Sequence, residues 1–136
     1  MAEMYVLPRI SELGVVKVVD AGIPNRERVY IKAETEVNLG PYFLTNGWRI
    51  APENAVPLNS DVFWLGNITV AQGTWIVVYT GAGQQKVTRM KNGEPGLVLH
   101  WGRPVTIFNA PEIVPILLRI DGVRVGDHFE QKALDA

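Results

Sequence analysis

The stretch that decides the fold class is residues 70–109, where two apolar runs are each interrupted by glycine. The runs read VAQGTWIVVYTGAG at residues 70–83 and GLVLHWGRPVTIFN at residues 96–109. β-Branched and aromatic residues are typical of strands, and glycine marks the turns that bound them. Neither run carries a catalytic constellation. Both are therefore predicted to be core strands of an antiparallel sandwich, connected by a polar loop.

Segments on either side of this stretch continue the strand pattern. Residues 13–19 are β-branched and predict a first strand, and residues 28–34 alternate polar and apolar side chains, which predicts a half-buried strand. Residues 113–120 are the most apolar run, but Pro115 lies inside it. Because proline cannot donate a ladder hydrogen bond, this run is expected at a sheet edge, at a bulge or as a late strand start.

Two dipeptides predict tight turns. Asn46-Gly47 precedes a short apolar segment, and Asp121-Gly122 precedes Val123-Arg124-Val125. Asn-Gly and Asp-Gly favour the two-residue turns of β-hairpins. Residues 123–125 are therefore expected to return as a strand across the second turn.

The totals agree with a single all-β domain. The chain has 136 residues, 13 glycines and nine prolines, which argues against long helices. The predicted fold is an immunoglobulin-like antiparallel β-sandwich of about seven to nine short strands. Its expected boundaries are an N-terminal arm at residues 1–12, the sandwich at 13–126 and a C-terminal tail at 127–136.

Charge and composition restrict the classes of partner. The chain has 13 basic and 14 acidic residues, which gives a net charge of −1. Duplex-binding proteins usually carry a basic excess, so nucleic acid is not the expected partner. The amino terminus lacks a signal-peptide pattern, and no apolar run approaches the roughly 20 residues of a membrane span. We expect a soluble protein that is not exported by a signal peptide, either cytoplasmic or virion-associated.

The order of several motifs resembles a known family. The motifs are Gly47-Trp48-Arg49-Ile50, Ile68-Thr69-Val70, Gly73-x-Trp75, the run from Ile76 to Thr80 with Gly81-x-Gly83, Trp101-Gly102, and the run from Val105 to Asn109. Over roughly residues 15–125 this order resembles the lamin-tail domain family. That resemblance implies an immunoglobulin-like β-sandwich that acts as a structural or interaction module, without shared catalytic residues.

Residues for catalysis or metal binding are few. The chain has no cysteine, two histidines (His100 and His128) and two serines (Ser11 and Ser60). Structural or catalytic zinc usually needs three or four convergent ligands, and no such spacing occurs. We interpret His100 as a half-exposed strand residue, the alternative being a general base or metal ligand. No catalytic residue, cofactor or metal site is predicted.

The segment from Gly81 to Lys86 superficially resembles a phosphate loop. It lacks the glycine next to the lysine and the serine or threonine that follows in that motif. The same region supplies Lys86, Arg89 and Lys91, a local basic loop near Glu94. Loops carried on a rigid sandwich often hold binding residues, so these three cations are candidate partner-binding residues, with a solvated loop as the simpler interpretation.

The aromatic residues divide into core and contact candidates. Trp48, Trp75 and Trp101 are predicted to fill the core. Phe63 and Trp64 are consecutive, so in a strand they point to opposite faces, and one of them faces outward. Both are candidate partner-binding residues, and Trp64 is the better candidate for an exposed apolar contact.

These observations favour a non-catalytic structural protein. The first hypothesis is a building block or decoration protein of a larger assembly such as a virion or capsid, whose partners are protein subunits. Residues 2–11 and 129–136 would reach neighbours. An enzyme is the least favoured hypothesis, and a cleft gathering His100 with two carboxylates would indicate one.

The alternative is a module that binds carbohydrate or another ligand. Trp64 with Tyr42 or Phe43 would stack on a sugar, and the hydrogen-bonding residues would be Asn59, Asp61 and Asn67.

Overall fold

The computed structural model describes residues 8–58 and 61–128, which form eleven β-strands and no helix. The strands are β1 (Leu13–Val19), β2 (Arg28–Ala33), β3 (Val37–Asn38), β4 (Tyr42–Ala51), β5 (Asn54–Pro57), β6 (Phe63–Trp64), β7 (Thr69–Val70), β8 (Trp75–Tyr79), β9 (Lys86–Arg89), β10 (Pro95–His100) and β11 (Ile113–Arg119). The all-β prediction is confirmed. The count exceeds the expected range because β3, β6 and β7 are two-residue strands.

Two main sheets share the strands. The five-stranded sheet has the order β1-β2-β8-β10-β9, the four-stranded sheet has the order β11-β4-β5 with β6 also paired to β4, and β3 pairs with β7. Within the five-stranded sheet, β10 runs parallel to β8. The expectation of a purely antiparallel sandwich is therefore wrong for this pair, and the sheet is mixed.

The parallel pair arises because the predicted polar loop contains a strand. β9 lies inside that segment and pairs antiparallel with β10 on the side away from β8. The chain therefore reverses twice between β8 and β10, so β10 begins in the same direction as β8.

One apolar core receives side chains from both main sheets. Val29, Ile31, Ile76 and Val78 of the five-stranded sheet and Leu44 of the four-stranded sheet are fully buried in it. Burying a side chain of this size contributes roughly 1.5–3 kcal/mol. The arrangement is sandwich-like, and its assignment to the immunoglobulin-like class stays a prediction.

Asn46 and Gly47 lie in the middle of β4, so the turn predicted there is wrong. A Cβ atom at Gly47 would overlap the Cδ1 atom of Ile116 and would lie 2.7 Å from the carbonyl oxygen of Val56. Glycine is required here because β11 and β5 approach β4 closely, and not because the chain turns.

The hairpin predicted at Asp121-Gly122 is also wrong. Residues 120–128 form no strand. Val123 and Val125 are 82% and 86% exposed, so no apolar surface holds a returning strand in place. Of the three placements expected for the run that contains Pro115, the sheet edge is the one observed, because β11 is the end strand of the four-stranded sheet.

A buried carboxylate fixes the loops at one end of the fold. Glu27 is 1% exposed and accepts hydrogen bonds from the backbone N–H groups of Gly22, Ile107 and Phe108, at 2.7, 2.7 and 3.0 Å. The hydroxyl of Thr80 donates a fourth, at 2.8 Å. Since an unpaired buried carboxylate is very costly, these four donors make the local loop geometry mutually dependent.

Candidate interaction surfaces

The five predicted partner-binding residues lie on two different sheets. Phe63 and Trp64 form β6 of the four-stranded sheet, whereas Lys86 and Arg89 are the end residues of β9 in the five-stranded sheet, with Lys91 just after it. The structure therefore does not gather them into one site. It presents two surfaces with different chemistry.

Phe63 and Trp64 point to opposite faces, as predicted. The β4–β6 register pairs Phe63 with Leu44, which is buried, and Trp64 with Phe43. Phe63 packs against the core, and its ring stacks on Trp101 with centroids 5.9 Å apart. Trp64 is 51% exposed, which confirms it as the outward residue.

Trp64 belongs to a surface that we call the apolar face, the outer side of the four-stranded sheet. Leu44 and Leu117 point into the core, so the alternate residues on β4 and β11 point outward. The apolar face consists of Phe43, Trp64, Val114, Ile116 and Leu118, which are all at least partly exposed. None of these five side chains is charged. Arg49, two positions beyond Gly47 on the same side of β4, lines a depression with Val114 and Ile116 at the end of this face.

The register places Phe43 directly between Trp64 and Leu118. The indole N–H of Trp64 donates a hydrogen bond to the carbonyl oxygen of Gly40 at 2.8 Å. The polar atom of this side chain is therefore already satisfied, and the rest of the exposed ring is apolar contact surface.

Among the other tryptophans, only Trp101 packs against the core as predicted. Trp48 is 44% exposed, so it does not fill the core. Trp75 lies on the outer face of the five-stranded sheet, since Ile76 and Val78 take the inward positions of β8. There its ring meets Tyr30 edge-on, with centroids 6.0 Å apart.

The second surface is a depression of about 350 Å³ on the outer face of the five-stranded sheet, which we call the cationic hollow. Its lining contains the three predicted cations, Lys86, Arg89 and Lys91. The other lining residues are Tyr30, Val77, Tyr79, Thr88, Met90, Val98 and His100. Among the described residues, no aspartate or glutamate lines it.

Stacked rings form one wall of the cationic hollow. The rings of Tyr79 and His100 are nearly parallel, with centroids 5.2 Å apart. The guanidinium of Arg28 lies 5.7 Å from the centroid of Tyr79 and donates a hydrogen bond to Asp20 at 2.8 Å. This hydrogen bond holds the pKa of the Asp20 carboxyl below its usual value.

His100 is half-buried in β10, as predicted from the sequence. A Cβ atom at Gly83 would overlap its imidazole ring, so the chain after β8 passes directly against that ring. Gly83 thus permits a close approach of the backbone to His100. Within the described part of the chain, no pair of carboxylates joins His100 in the hollow.

The sugar-binding set expected under the ligand hypothesis is only partly in place. Phe43 and Trp64 are register partners on the apolar face, but Tyr42 is 3% exposed, and its hydroxyl donates to the Glu12 carboxylate. Asp61 is held in an ion pair with Arg103. Asn67 accepts a hydrogen bond from Asn38 at 3.0 Å. Asn59 lies outside the described residues.

The predicted arms are described in part. Residues 1–7 and 129–136 are outside the described ranges, so the expectation that they reach neighbouring subunits stays a prediction. In residues 8–58 and 61–128, no group of three or more histidine, aspartate or glutamate side chains could hold a metal ion. None of these residues belongs to a helix that is long and apolar enough to cross a membrane.

No protein-family model matches the chain, and searches of curated proteins and of solved structures find no significant match. The resemblance to the lamin-tail domain family therefore stays a prediction.

The sequence predicts the cations of the hollow but not its aromatic wall. The outward position of Tyr30 follows from the sequence, because the alternation in β2 assigns this side chain to the polar face. The contact between Tyr79 and His100 depends on the parallel pairing of β8 and β10, for which the sequence carries no recognisable signal.

Proposed function

We propose that the protein is a non-catalytic interaction protein that contacts protein subunits through the apolar face. In this role it is a building block or decoration protein of a larger assembly such as a virion or capsid. The observation that carries the proposal is the uncharged strip of Phe43, Trp64 and Leu118, in which the exposed indole already has its N–H bonded to Gly40.

The physical argument is the cost of leaving this strip in water. Burial of apolar surface yields roughly 25 cal/mol per Å², and tryptophan is among the residues that contribute most at protein interfaces. Side chains on one sheet face can interdigitate with those of a second sheet about 10 Å away. A sheet face of this kind is suited to stacking against a subunit surface.

The edges of the same sheet are less suited to docking. The edge strand β11 contains Pro115, and the four-residue edge strand β5 contains Pro57. Proline removes a backbone donor and protects an edge against strand addition. This favours contact through the face of the sheet over extension of the sheet.

We propose in particular that the subunit contacted is a second copy of the chain, and sedimentation velocity at increasing protein concentration tests this contact. We expect the wild type to self-associate and Leu118→Glu to be monomeric, because the substitution places a charge within the strip, directly beside Phe43. Val125→Glu is the matched control, since Val125 is 86% exposed and outside the apolar face. A wild type that stays monomeric, or association that Leu118→Glu leaves intact, contradicts the proposal.

The second candidate function is carbohydrate binding by a lamin-tail-like module. It is supported by Phe43 and Trp64, whose rings are register partners on the same exposed face. Glycan-array binding that is lost in Trp64→Ala would favour this function. The absence of any bound glycan would remove it.

A further inference from the structure

None of the three cations of the cationic hollow, Lys86, Arg89 and Lys91, is neutralised by a carboxylate among the described residues. Two other cations of the same sheet face are neutralised locally: Arg28 pairs with Asp20 at 2.8 Å and Lys32 with Glu94 at 3.6 Å. A third, Lys17, has its ammonium 5.9 Å from the ring centroid of Tyr30, which lines the hollow. The positive charge of this face that no carboxylate neutralises is therefore found at the hollow and at Lys17 beside it.

The position of the cations is set by rigid elements. The β9–β10 register pairs Lys86 with Val98, so the lysine rises from the outer face beside the apolar floor. One guanidinium nitrogen of Arg89 donates to the carbonyl oxygen of Gly93 at 2.9 Å. Since a guanidinium has five N–H donors, the remaining ones are available to a ligand.

The floor of the hollow is apolar and aromatic. Val77 and Val98 are register partners on β8 and β10, and the stacked rings of Tyr79 and His100 adjoin them. A volume of about 350 Å³ is at the small end of ligand sites, which span roughly 300–1,000 Å³. The hollow thus has room for one sugar- or base-sized group. The charged side chains of the hollow lie on one side of that space.

Three cations without a carboxylate favour a dianion over a monoanion, because each added charge strengthens the attraction. Lysine and arginine both bind phosphate oxygens, arginine often through two parallel hydrogen bonds.

We propose that the cationic hollow binds a small organic phosphate. The phosphate group lies among Lys86, Arg89 and Lys91, and the sugar or base to which it is attached lies on Val77 and Val98. This site is independent of the apolar face, so the two proposals can fail separately.

Isothermal titration calorimetry with glucose 6-phosphate and adenosine 5′-monophosphate tests the site. We expect at least one ester to bind with one-to-one stoichiometry, and glucose or adenosine without the phosphate to bind at least about tenfold more weakly. The ester that binds more tightly identifies the body that the floor prefers. Affinity should fall as salt is added, because exposed charges are screened.

Charge reversal locates the binding. Lys86→Glu/Lys91→Glu should weaken binding by at least about tenfold. Arg9→Glu/Arg124→Glu changes the net charge equally at exposed residues that do not line the hollow, and should leave the affinity unchanged. Unchanged circular dichroism and thermal unfolding would show that both variants remain folded.

Several results would overturn the proposal. They are binding of neither ester at millimolar concentration, equal loss of affinity in the two double variants, and inorganic phosphate binding as tightly as both esters. Binding of a single-stranded oligonucleotide without binding of either ester would likewise overturn it.

Discussion

The carboxylate of Glu27 accepts a hydrogen bond at 2.7 Å from the backbone N–H of Ile107, which lies 80 residues further along the chain. Glu27 precedes β2, and Ile107 lies between β10 and β11. The same carboxylate binds the N–H groups of Phe108 and Gly22. One side chain therefore connects three segments that no strand pairing joins, and it does so inside the protein.

Glu27→Gln should lower the free energy of unfolding by about 3 kcal/mol. Glutamine keeps the size of the side chain but turns one acceptor into a donor that faces backbone N–H groups, and it removes charge-assisted hydrogen bonds. Urea denaturation measures the change. Glu34→Gln is the control, because Glu34 is exposed, and it should change stability by less than about 0.5 kcal/mol. Equal effects of the two substitutions would refute the role of Glu27.

Gly47→Ala should destabilise the protein by roughly 1–3 kcal/mol, as overpacking of a close contact does. The new methyl group would meet the Cδ1 atom of Ile116 and the carbonyl oxygen of Val56. Adding Ile116→Val removes the first clash but not the second, so it should restore only part of the stability. Gly122→Ala serves as the control, since nothing lies within 4 Å of a Cβ there. Thermal unfolding of the wild type, Gly47→Ala, Gly47→Ala/Ile116→Val and Gly122→Ala checks this expected order of stability.

Stability should fall in strong acid through Glu12. The hydrogen bond from the Tyr42 hydroxyl, assisted by Arg119, lowers the pKa of Glu12 from 4.5 to about 2. Because the folded-state pKa is lowered, the stabilisation is present above pH 4.5 and is lost as the pH falls toward 2. An NMR titration of the Glu12 carboxyl should give a midpoint near 2 in the wild type and a higher one in Tyr42→Phe. A wild-type midpoint near 4.5 would contradict the contact.

The same cluster predicts a second loss of stability at high pH. Burial and the neighbouring Glu12 carboxylate raise the pKa of Tyr42 from 10.0 to about 12. Because this pKa is raised, the stabilisation is present below pH 10.0 and is lost as the pH rises toward 12. Chemical denaturation between these values should show a declining free energy of unfolding, and Tyr42→Phe should flatten that decline. Identical slopes in both proteins would count against the assignment.

Substitutions at the consecutive residues Phe63 and Trp64 should separate folding from association. Phe63→Ala should cost roughly 2–3 kcal/mol of stability, because the ring packs on the core and on Trp101. Trp64→Ala should cost less than about 1 kcal/mol but weaken self-association, because that ring faces solvent. Denaturation and sedimentation of both variants measure the two effects. The opposite assignment of effects would refute the orientation of β6.

Local patterns accounted for most of the strands, though not for β9, and for several orientations. Alternation placed Phe63 and Trp64 on opposite faces, and the missing donor of Pro115 limited β11 to an edge, a bulge or a late strand start, of which the edge is observed. These predictions succeeded because they depend on the period of a strand and on the chemistry of one residue. The turn predictions at Asn46-Gly47 and Asp121-Gly122 failed because tertiary contacts override dipeptide preferences: β4 continues through the first, and no apolar surface supports a hairpin at the second.

The sequence by itself determined the all-β class, most strand positions and the cations of the basic segment. It could do so because side-chain alternation, β-branching and charge are local properties. Only the tertiary structure decided that β9 lies beyond β10 and that β10 runs parallel to β8, which brings Tyr79 against His100 above an apolar floor. It also decided that Glu27 is buried and accepts hydrogen bonds from backbone N–H groups of other loops. Such contacts depend on the spatial order and direction of the strands around one core. That arrangement is set by the whole chain.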